Sequence, residues 1–343
     1  MTKVSIIIPH YNGYKILNDC LKSLYNSKLD NAEIIIVNNN SSDNSIEKVK
    51  QDFQELTILD LDQNKGYAGG CNHGANHAKG DYLVFLNNDT EVDPEWLSQL
   101  TETLNNNPDI ASVQPKIINK NNKTKFDYAG AGGGFIDKYC YPFSRGRIFY
   151  TQEDDTGQYD NLQKIFWASG TVFITKKTIF KKLGGFDEVL FAHMEEIDYH
   201  WKCYLNGYSV YVNPKSLVYH LGGATLSYES AYKTYLNHRN SMLLLLSNYN
   251  LYNTLKFFIV RLLLQKVSIL KDLITFNIKH GFAQIRALMW ILLHPDVIFR
   301  RRIKVKNIRK ISDSELLNTV IYNKSIIYQY FIKKITKYSD LDS

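Results

Sequence analysis

Three almost uninterrupted apolar runs in the first ninety residues each stop in a cluster of polar side chains, and this repeat constrains the fold more than any other feature of the chain. VSIIIP runs into His10-Tyr11-Asn12, EIIIV into Asn38-Asn39-Asn40-Ser41-Ser42-Asp43, and DYLVFL into Asn87-Asn88-Asp89. Short, β-rich apolar runs of this kind are strands covered on both faces. Between them, ILNDCLKSLYNS (16–27) sets Ile16, Cys20, Leu21 and Leu24 at helical spacing, and SIEKVKQDF continues the second strand as a helix. LTILDL (56–61) reads as a further strand, and the glycine-rich NKGYAGGCNHGANHAKG (64–80) as a turn leading into a helix. Alternation of strand and helix predicts a mostly parallel sheet with crossover helices. Ligands bind such sheets beyond the C-terminal strand ends, so the polar clusters should meet on one edge. One cluster alone is an ordinary Asx turn or helix cap. Three on the ligand-binding edge point to a site.

The second half adds a different constellation. Residues 167–223 predict a strand at 171–175, a helix at 176–183, a break at Gly184-Gly185 and a helix in AHMEEIDYHWKCYLNG, whose Ile197, Trp201 and Leu205 form an apolar face. Glu195, Glu196 and Asp198 fall in its first turn, where free N–H groups and the helix dipole favour carboxylates. One of them suffices as a cap; three beside His193 exceed that need. The strand SVYVNP then leads to LVYHLGG, which leaves His220 at a strand end.

With 343 residues, 44% of them hydrophobic, the chain has enough material for one large core or a core with an appendage. Cys20, Cys71, Cys140 and Cys203 lie far apart without metal-ligand pairing, and only five apolar residues precede Pro9, so the expectation is a cytoplasmic protein with reduced thiols. The net charge of +7 is concentrated: residues 251–310 carry thirteen Lys or Arg against Asp272 and Asp296, a net +11, and the rest of the chain sums to −4. That distribution, with Leu and Ile interleaved instead of aromatics and glycine, argues against a nucleic-acid surface. No stretch of eighteen uncharged apolar residues occurs there, which predicts no transmembrane helix. Two readings stay open for residues 241–343: helices packed on one another, or basic amphipathic helices on an anionic membrane, with Arg300, Arg301, Arg302, Lys304 and Lys306 reaching headgroups.

The pieces VSIIIPHYNG, IIIVNNNSSDNS, NKGYAGGCNHG, VFLNNDTEVDPEW, WASGTVFITK, GGFDEVLFAHMEEIDYHWK, VYHLGG and NHRN (237–240) together resemble family 2 glycosyltransferases of the GT-A fold, in the bacterial branch that includes rhamnosyl- and galactofuranosyltransferases of surface polysaccharide assembly. Each piece is weak alone; their order and spacing are specific. The resemblance implies an α/β GT-A domain, Rossmann-like, over residues 1–240, followed by a C-terminal helical region over 241–343. It implies inverting transfer of a sugar from a nucleoside diphosphate, UDP- or dTDP-linked, to a glycan or lipid-linked acceptor.

By the same resemblance Asn87-Asn88-Asp89 stands at the family's Asp-any-Asp position, so Asp89, with His220, would hold Mn²⁺ or Mg²⁺, Asn87 replacing the first carboxylate. Pro9, Tyr11, Asn12, Asn38, Asp43, Lys65, Gly66, Asn72 and Asn88 would border the donor, and Trp167 the acceptor. Glu195-Glu196 stands at the family's Glu-Asp pair, which makes Glu196 the first choice for general base, with Asp198 and Glu195 behind it, Glu195 also facing the acceptor. A nucleotidyltransferase acting on sugar phosphates and a noncatalytic carbohydrate-binding protein of the same fold are the alternatives. The first should carry a glycine-rich signature where this chain reads PHYNGYK, and the second has no need of Asp89, Glu196 and His220 together.

Overall fold

The structure, a computed structural model, describes residues 3–29, 31–53, 56–222 and 230–341. Gly223, the last residue of LVYHLGG, lies outside them. The N-terminal half builds β1 (Val4–His10), α1 (Tyr14–Tyr25), β2 (Glu33–Asn38), α2 (Ser45–Asp52), β3 (Thr57–Asp60), α3 (Gly66–His77), β4 (Tyr82–Leu86), β5 (Thr90–Val92), α4 (Trp96–Asn106) and β6 (Ile110–Asn119). Four short strands follow: β7 (Gly134–Ile136), β8 (Pro142–Ser144), β9 (Arg147–Ile148) and β10 (Thr151–Gln152). Then come β11 (Gln163–Ile165), β12 (Val172–Lys176), α5 (Lys177–Lys182), α6 (Glu195–Leu205) and β13 (Ser209–His220). The chain continues through helices α7 (Ala231–Asn248), α8 (Leu251–Ile274), α9 (Ile278–Leu293), α10 (Pro295–Ile308) and α11 (Asp313–Thr319).

The main sheet has nine strands in the order β11-β13-β6-β12-β4-β1-β2-β3, with β5 added against β13. As the alternation predicts, β1 pairs in parallel with β2 and β4, and β2 with β3. The other half is mixed: β12 runs antiparallel to β4 and to β6, whereas β13 is parallel to β6. Period-two alternation assigns each strand residue to one side. Ile6 and Ile8 of β1 join Leu17, Leu21 and Leu24 of α1 in one apolar layer, while Ile7 joins Ala68, Cys71 and Ala75 of α3 in the other. A separate four-stranded antiparallel sheet, β10-β9-β8-β7, is braced by the C-terminal segment: Tyr322 bridges to Asp137, and Tyr338 packs beside Phe135 and Phe143. Neither the small sheet nor β5 stands out in the sequence, since strands of two or three residues carry no readable period.

The C-terminal helices turn their faces in an unexpected way. On α8 the buried residues are Thr254, Phe257, Arg261 and Gln265, and the exposed ones include Leu255, Ile259, Leu263, Val267, Leu270 and Ile274. The amphipathic pattern is therefore inverted, with polar groups inside and an apolar stripe outside. Inside, the polar groups serve one another: Gln265 accepts from His238 and donates to Gln284, and Gln284 donates to Asp272. No described helix is long and apolar enough to cross a bilayer; α9 and α10 reach the required combined length only as a pair bent by 71°.

The expectation that Arg301 reaches a headgroup is overturned. Arg301 is buried at 4% exposure and pairs with Asp187 and with Asp198, at 2.7 Å for the latter, while its Nε donates to Ser247. Arg302 likewise turns inward to the Leu246 carbonyl, and Arg300 pairs with Asp296 on the surface. A guanidinium surrounded by two carboxylates has no reason to leave them.

Candidate active site

At the C-terminal ends of β1, β2 and β4 the polar clusters do meet. They line one end of a cavity of about 1170 Å³ that extends to the small sheet and to α7 and α8. Asp89 and His220 come together here because β5, directly after Asp89, pairs antiparallel with β13, placing His220 opposite Thr90. His220 Nε2 lies 3.2 Å from Asp89 Oδ1, a close contact misaligned for a hydrogen bond, so that Oδ1 keeps a lone pair without a donor. On its other side His220 Nδ1 is 2.9 Å from Asp127 Oδ1. Burial alone would lower the imidazole pKa, but the carboxylates of Asp89 and Asp127 outweigh it and raise the value to about 10. The pocket thus favours positive charge at this point, which a divalent cation would supply in place of the Nε2 proton. The donor set, a carboxylate oxygen without a hydrogen-bond partner and an imidazole oriented by a second carboxylate, fits a divalent cation of the Mn²⁺ type. Among the described residues no cluster of three or more ligating side chains forms, so diphosphate or water oxygens would complete such a shell.

Across the cavity, α6 delivers the acidic pair, and the approach to it is strained. Phe191 (φ 63°), His193 (φ 66°) and Met194 (φ 75°) all occupy the left-handed region. Phe191, with ψ −63°, forms a γ-turn of the rare hand, closed by a 2.8 Å bond from the Ala192 N–H to the Leu190 carbonyl. Such conformations persist only where the surroundings hold them. Asn240 of the NHRN stretch does so, donating to the carbonyls of Leu190, Ala192 and His193 at 2.7–3.0 Å, and Arg239 adds bonds to Val189 and Leu190. Gly66 completes the clamp: at φ 68° it lies so near the Phe191 carbonyl that a Cβ would stand 2.3 Å from that oxygen.

The three carboxylates of α6 have separate fates. Glu195, 3% exposed, has its pKa raised well above the usual carboxylate range by burial first and then by the negative charge of Glu196. Glu196, half-buried at the cavity wall beside Gly170, is raised to about 7 by burial, against the pull of nearby backbone N–H groups. Both line the cavity. Asp198 does not. It is fully buried and bonded to Arg301, to Lys202 at 2.6 Å and to Asn248, and although burial would raise its pKa, these partners hold it at about 2. Two residues along a helix have turned it to the opposite side, toward α7 and α10.

Of the expected donor residues, Pro9, Tyr11, Gly66, Asn88 and Asp89 line the cavity, together with Trp167 from the expected acceptor side. Asn88 also donates to His10 Nδ1 at 2.8 Å, and His10, its pKa lowered to about 4 by burial, is neutral. Asn12, Asn38, Asp43, Lys65 and Asn72 serve the loops behind that wall. Asn12 joins the β1 and β2 turns through Ser41 and Ser42, and Asp43 accepts from the Gly13 N–H at 2.7 Å. Asn38 donates to Asp60, Asn72 fixes the Gly-Gly-Phe loop through both backbone groups of Phe186, and Lys65 lies 3.8 Å from Asp62. Asp127, Asn39 and Tyr67 were not singled out by the sequence. Asn39 holds the α3 entry through the Lys65 N–H and the Gly66 carbonyl, a role the NNN run could have suggested. Nothing local marks Asp127.

The family described as "Glycosyl transferase family 2" matches residues 5–184. Poly-β-1,6-N-acetyl-D-glucosamine synthase of Staphylococcus aureus (strain COL) is 28% identical over 228 residues, which cover 65% of this chain and 51% of that protein. The chain thus spans about half the length of the curated relatives it matches. Among solved structures, S. aureus TarS 1-349 superposes with a TM-score of 0.54 at 18% identity, covering 89% of this chain and 88% of the other. GalNAc-T7 with UDP, GalNAc and Mn²⁺ gives a TM-score of 0.58 at 17% identity, covering 73% and 49%. A mannosyltransferase from Pyrobaculum calidifontis with GDP-mannose and Mn²⁺ gives 0.51 at 12% identity, covering 88% and 86%. These structural likenesses establish a shared GT-A architecture.

Proposed function

The chain belongs to glycosyl transferase family 2, and from that premise we propose that it moves a sugar, with inversion, from a nucleoside diphosphate to a hydroxyl of a glycan or lipid-linked glycan. The observation that carries this reading is the presence, around one cavity, of the Asp89–His220 pair at the strand ends and of Glu196 at the start of α6. Pro9 and Tyr11 form the wall against which the nucleoside would lie, and Asp89 with His220 would hold the cation. A bound Mn²⁺ or Mg²⁺ would neutralise charge on the departing diphosphate. Glu196 takes the proton of the acceptor hydroxyl as the bond to the sugar forms. Glu195, kept neutral, adds no second negative charge that would repel an approaching donor phosphate. A screen of nucleotide sugars for transfer and slow hydrolysis, with and without Mn²⁺, tests the proposal. Turnover of at least one donor that stops in chelator is the expected result; no turnover of any UDP-, dTDP- or GDP-sugar would refute it.

The outward face of α8 supports a second element, contact with an anionic bilayer. An apolar stripe from Leu255 to Ile274 is flanked by exposed Lys256, Lys266 and Lys271, the pairing of oil and positive charge that suits a surface of anionic lipid. Each basic residue near such a surface contributes on the order of 1 kcal/mol, screened by salt. The protein should co-sediment with phosphatidylglycerol vesicles at low salt, bind phosphatidylcholine vesicles less, and lose binding on Ile259→Glu. A chain that ignores both vesicles, or whose stripe is covered in a dimer, would overturn the contact.

A further inference from the structure

The half of the cavity away from the strand ends is unlike the catalytic half. The cavity's described acidic lining residues are Asp89, Glu195 and Glu196, at the strand ends and on α6, whereas its described basic lining residues, Arg147, Lys233, Arg261 and Lys271, come from the small sheet, α7 and α8. Arg261 is 1% exposed. Its Nη2 donates to Ser241 Oγ at 2.7 Å and its guanidinium lies 3.8 Å from the centre of the Tyr141 ring, but its Nε and Nη1 have no hydrogen-bond partner. Among the described residues it forms no ion pair. The neighbouring carboxylate of Asp137 is engaged with the N–H groups of Tyr139, Tyr141 and Ile326. Arg147, 8% exposed, repeats the arrangement: it stacks on Tyr128 at 4.2 Å, donates through Nη1 to the Phe149 carbonyl, and has an unpartnered Nε.

A buried guanidinium is costly unless its charge and all its donors are met. Two such groups at the wall of one cavity are donors waiting for an acceptor that the protein itself does not supply. Guanidinium forks match oxyanions, and phosphate in particular. The positive charge gathered here exceeds what one carboxylate would neutralise. Beside it, Leu264, Ile327 and Phe331 offer an apolar wall.

We propose, resting on the glycosyltransferase reading above, that this half of the cavity is a phosphate subsite of the acceptor, in which Arg147 and Arg261 bind a phosphate or diphosphate ester. The ester places the acceptor sugar toward Glu196, and any chain attached to the phosphate lies along the apolar wall. Two sources share this chemistry, a lipid diphosphate and a soluble polyol phosphate.

The whole 343-residue chain in EDTA, so that no cation recruits phosphate to Asp89, is titrated calorimetrically with geranyl diphosphate, pyrophosphate, glycerol 3-phosphate and geraniol. Geranyl diphosphate should bind, and its affinity should fall at least tenfold in Arg261→Met and in Arg147→Gln while remaining near wild type in Asp89→Asn. Stronger binding of geranyl diphosphate than of glycerol 3-phosphate assigns the lipid source; the reverse order assigns the soluble one. Geraniol binding as tightly as geranyl diphosphate would overturn the proposal, as would sensitivity to Asp89→Asn with indifference to both arginine substitutions. Thermal unfolding separates a structural role: Arg261→Met loses the bond to Ser241 and the contact with Tyr141 but no ion pair, so the melting temperature should fall only slightly. A marked fall in both arginine variants would assign them to the scaffold and overturn the subsite. The parent reading fails on a different readout, since arginine-dependent phosphate binding without turnover of any nucleotide sugar would leave the subsite standing and remove the transferase.

Discussion

Replacing Glu196 by glutamine should lower the turnover number by roughly 10²- to 10⁴-fold, the range for a lost general base, and leave donor binding nearly unchanged because the proton is taken in the transition state. Glutamine keeps the size and reach of the side chain and removes only the proton acceptor. The pH profile supplies a second test. Burial raises the Glu196 pKa to about 7, and a base works only when deprotonated, so wild-type turnover should fall as pH drops below 7 and level off above it. That acidic limb should vanish from the residual activity of Glu196→Gln. Asp198→Asn is the informative control. Its carboxylate balances Arg301 and Lys202 inside the protein, so the substitution should cost about 3–5 kcal/mol of stability with little effect on the turnover of protein that remains folded. A turnover number untouched in Glu196→Gln but lost in Asp198→Asn would mean the base is misassigned, and a product retaining the donor's anomeric configuration, read by NMR, would remove inversion.

Asp89→Ala should reduce transfer to the level of the chelated wild type, while the far-ultraviolet circular dichroism spectrum stays the same. The carboxylate sits beside His220 with one oxygen unpartnered, and alanine leaves an imidazole whose remaining carboxylate partner, Asp127, is on its other side, bonded to Nδ1. Direct binding of Mn²⁺, followed by electron paramagnetic resonance in the presence of a nucleoside diphosphate, should weaken in parallel. Full activity of the variant in excess chelator would sink the metal assignment.

The parallel half of the sheet is legible because each apolar run is long enough to show its period and each ends in side chains that punctuate it. Long-range pairing is not legible in this way. Asp127 reaches His220 because the segment after β6 folds back along it, Phe126 opposite Ile118, while β13 runs beside β6 and sets His220 opposite Asn119, and no local pattern in KTKFDYAG announces that. Asp198 shows the same limit from the other direction: its place in an acidic first turn looks the same as that of Glu196, and only the position of Arg301, more than a hundred residues later, decides that one carboxylate faces a cavity and the other a buried cation. The α8 helix defeats pattern reading more thoroughly. Periodicity finds an apolar face but not which way it turns, since the inner face is chosen by Gln265, Arg261 and Thr254 finding polar partners on α7, α9 and α10.

Arg301 also changes what counts as a detachable part. It joins α10 to Asp187, in the loop before α6, and to Asp198, within α6, while Asn240 of α7 holds the turn that sets the first residues of that helix. The boundary near residue 240, natural by sequence resemblance, therefore cuts through the support of the acidic pair. Exchanging the region after it for that of a relative would remove Arg301 and Asn248, the partners of Asp198, while Asn240 stays behind, unless both sides of the junction were exchanged together. In recombination terms, the crossover point that preserves this chain's chemistry lies before the Gly184-Gly185 break and not after the last strand, so acceptor preference and the geometry of the acidic pair should be inherited as one unit.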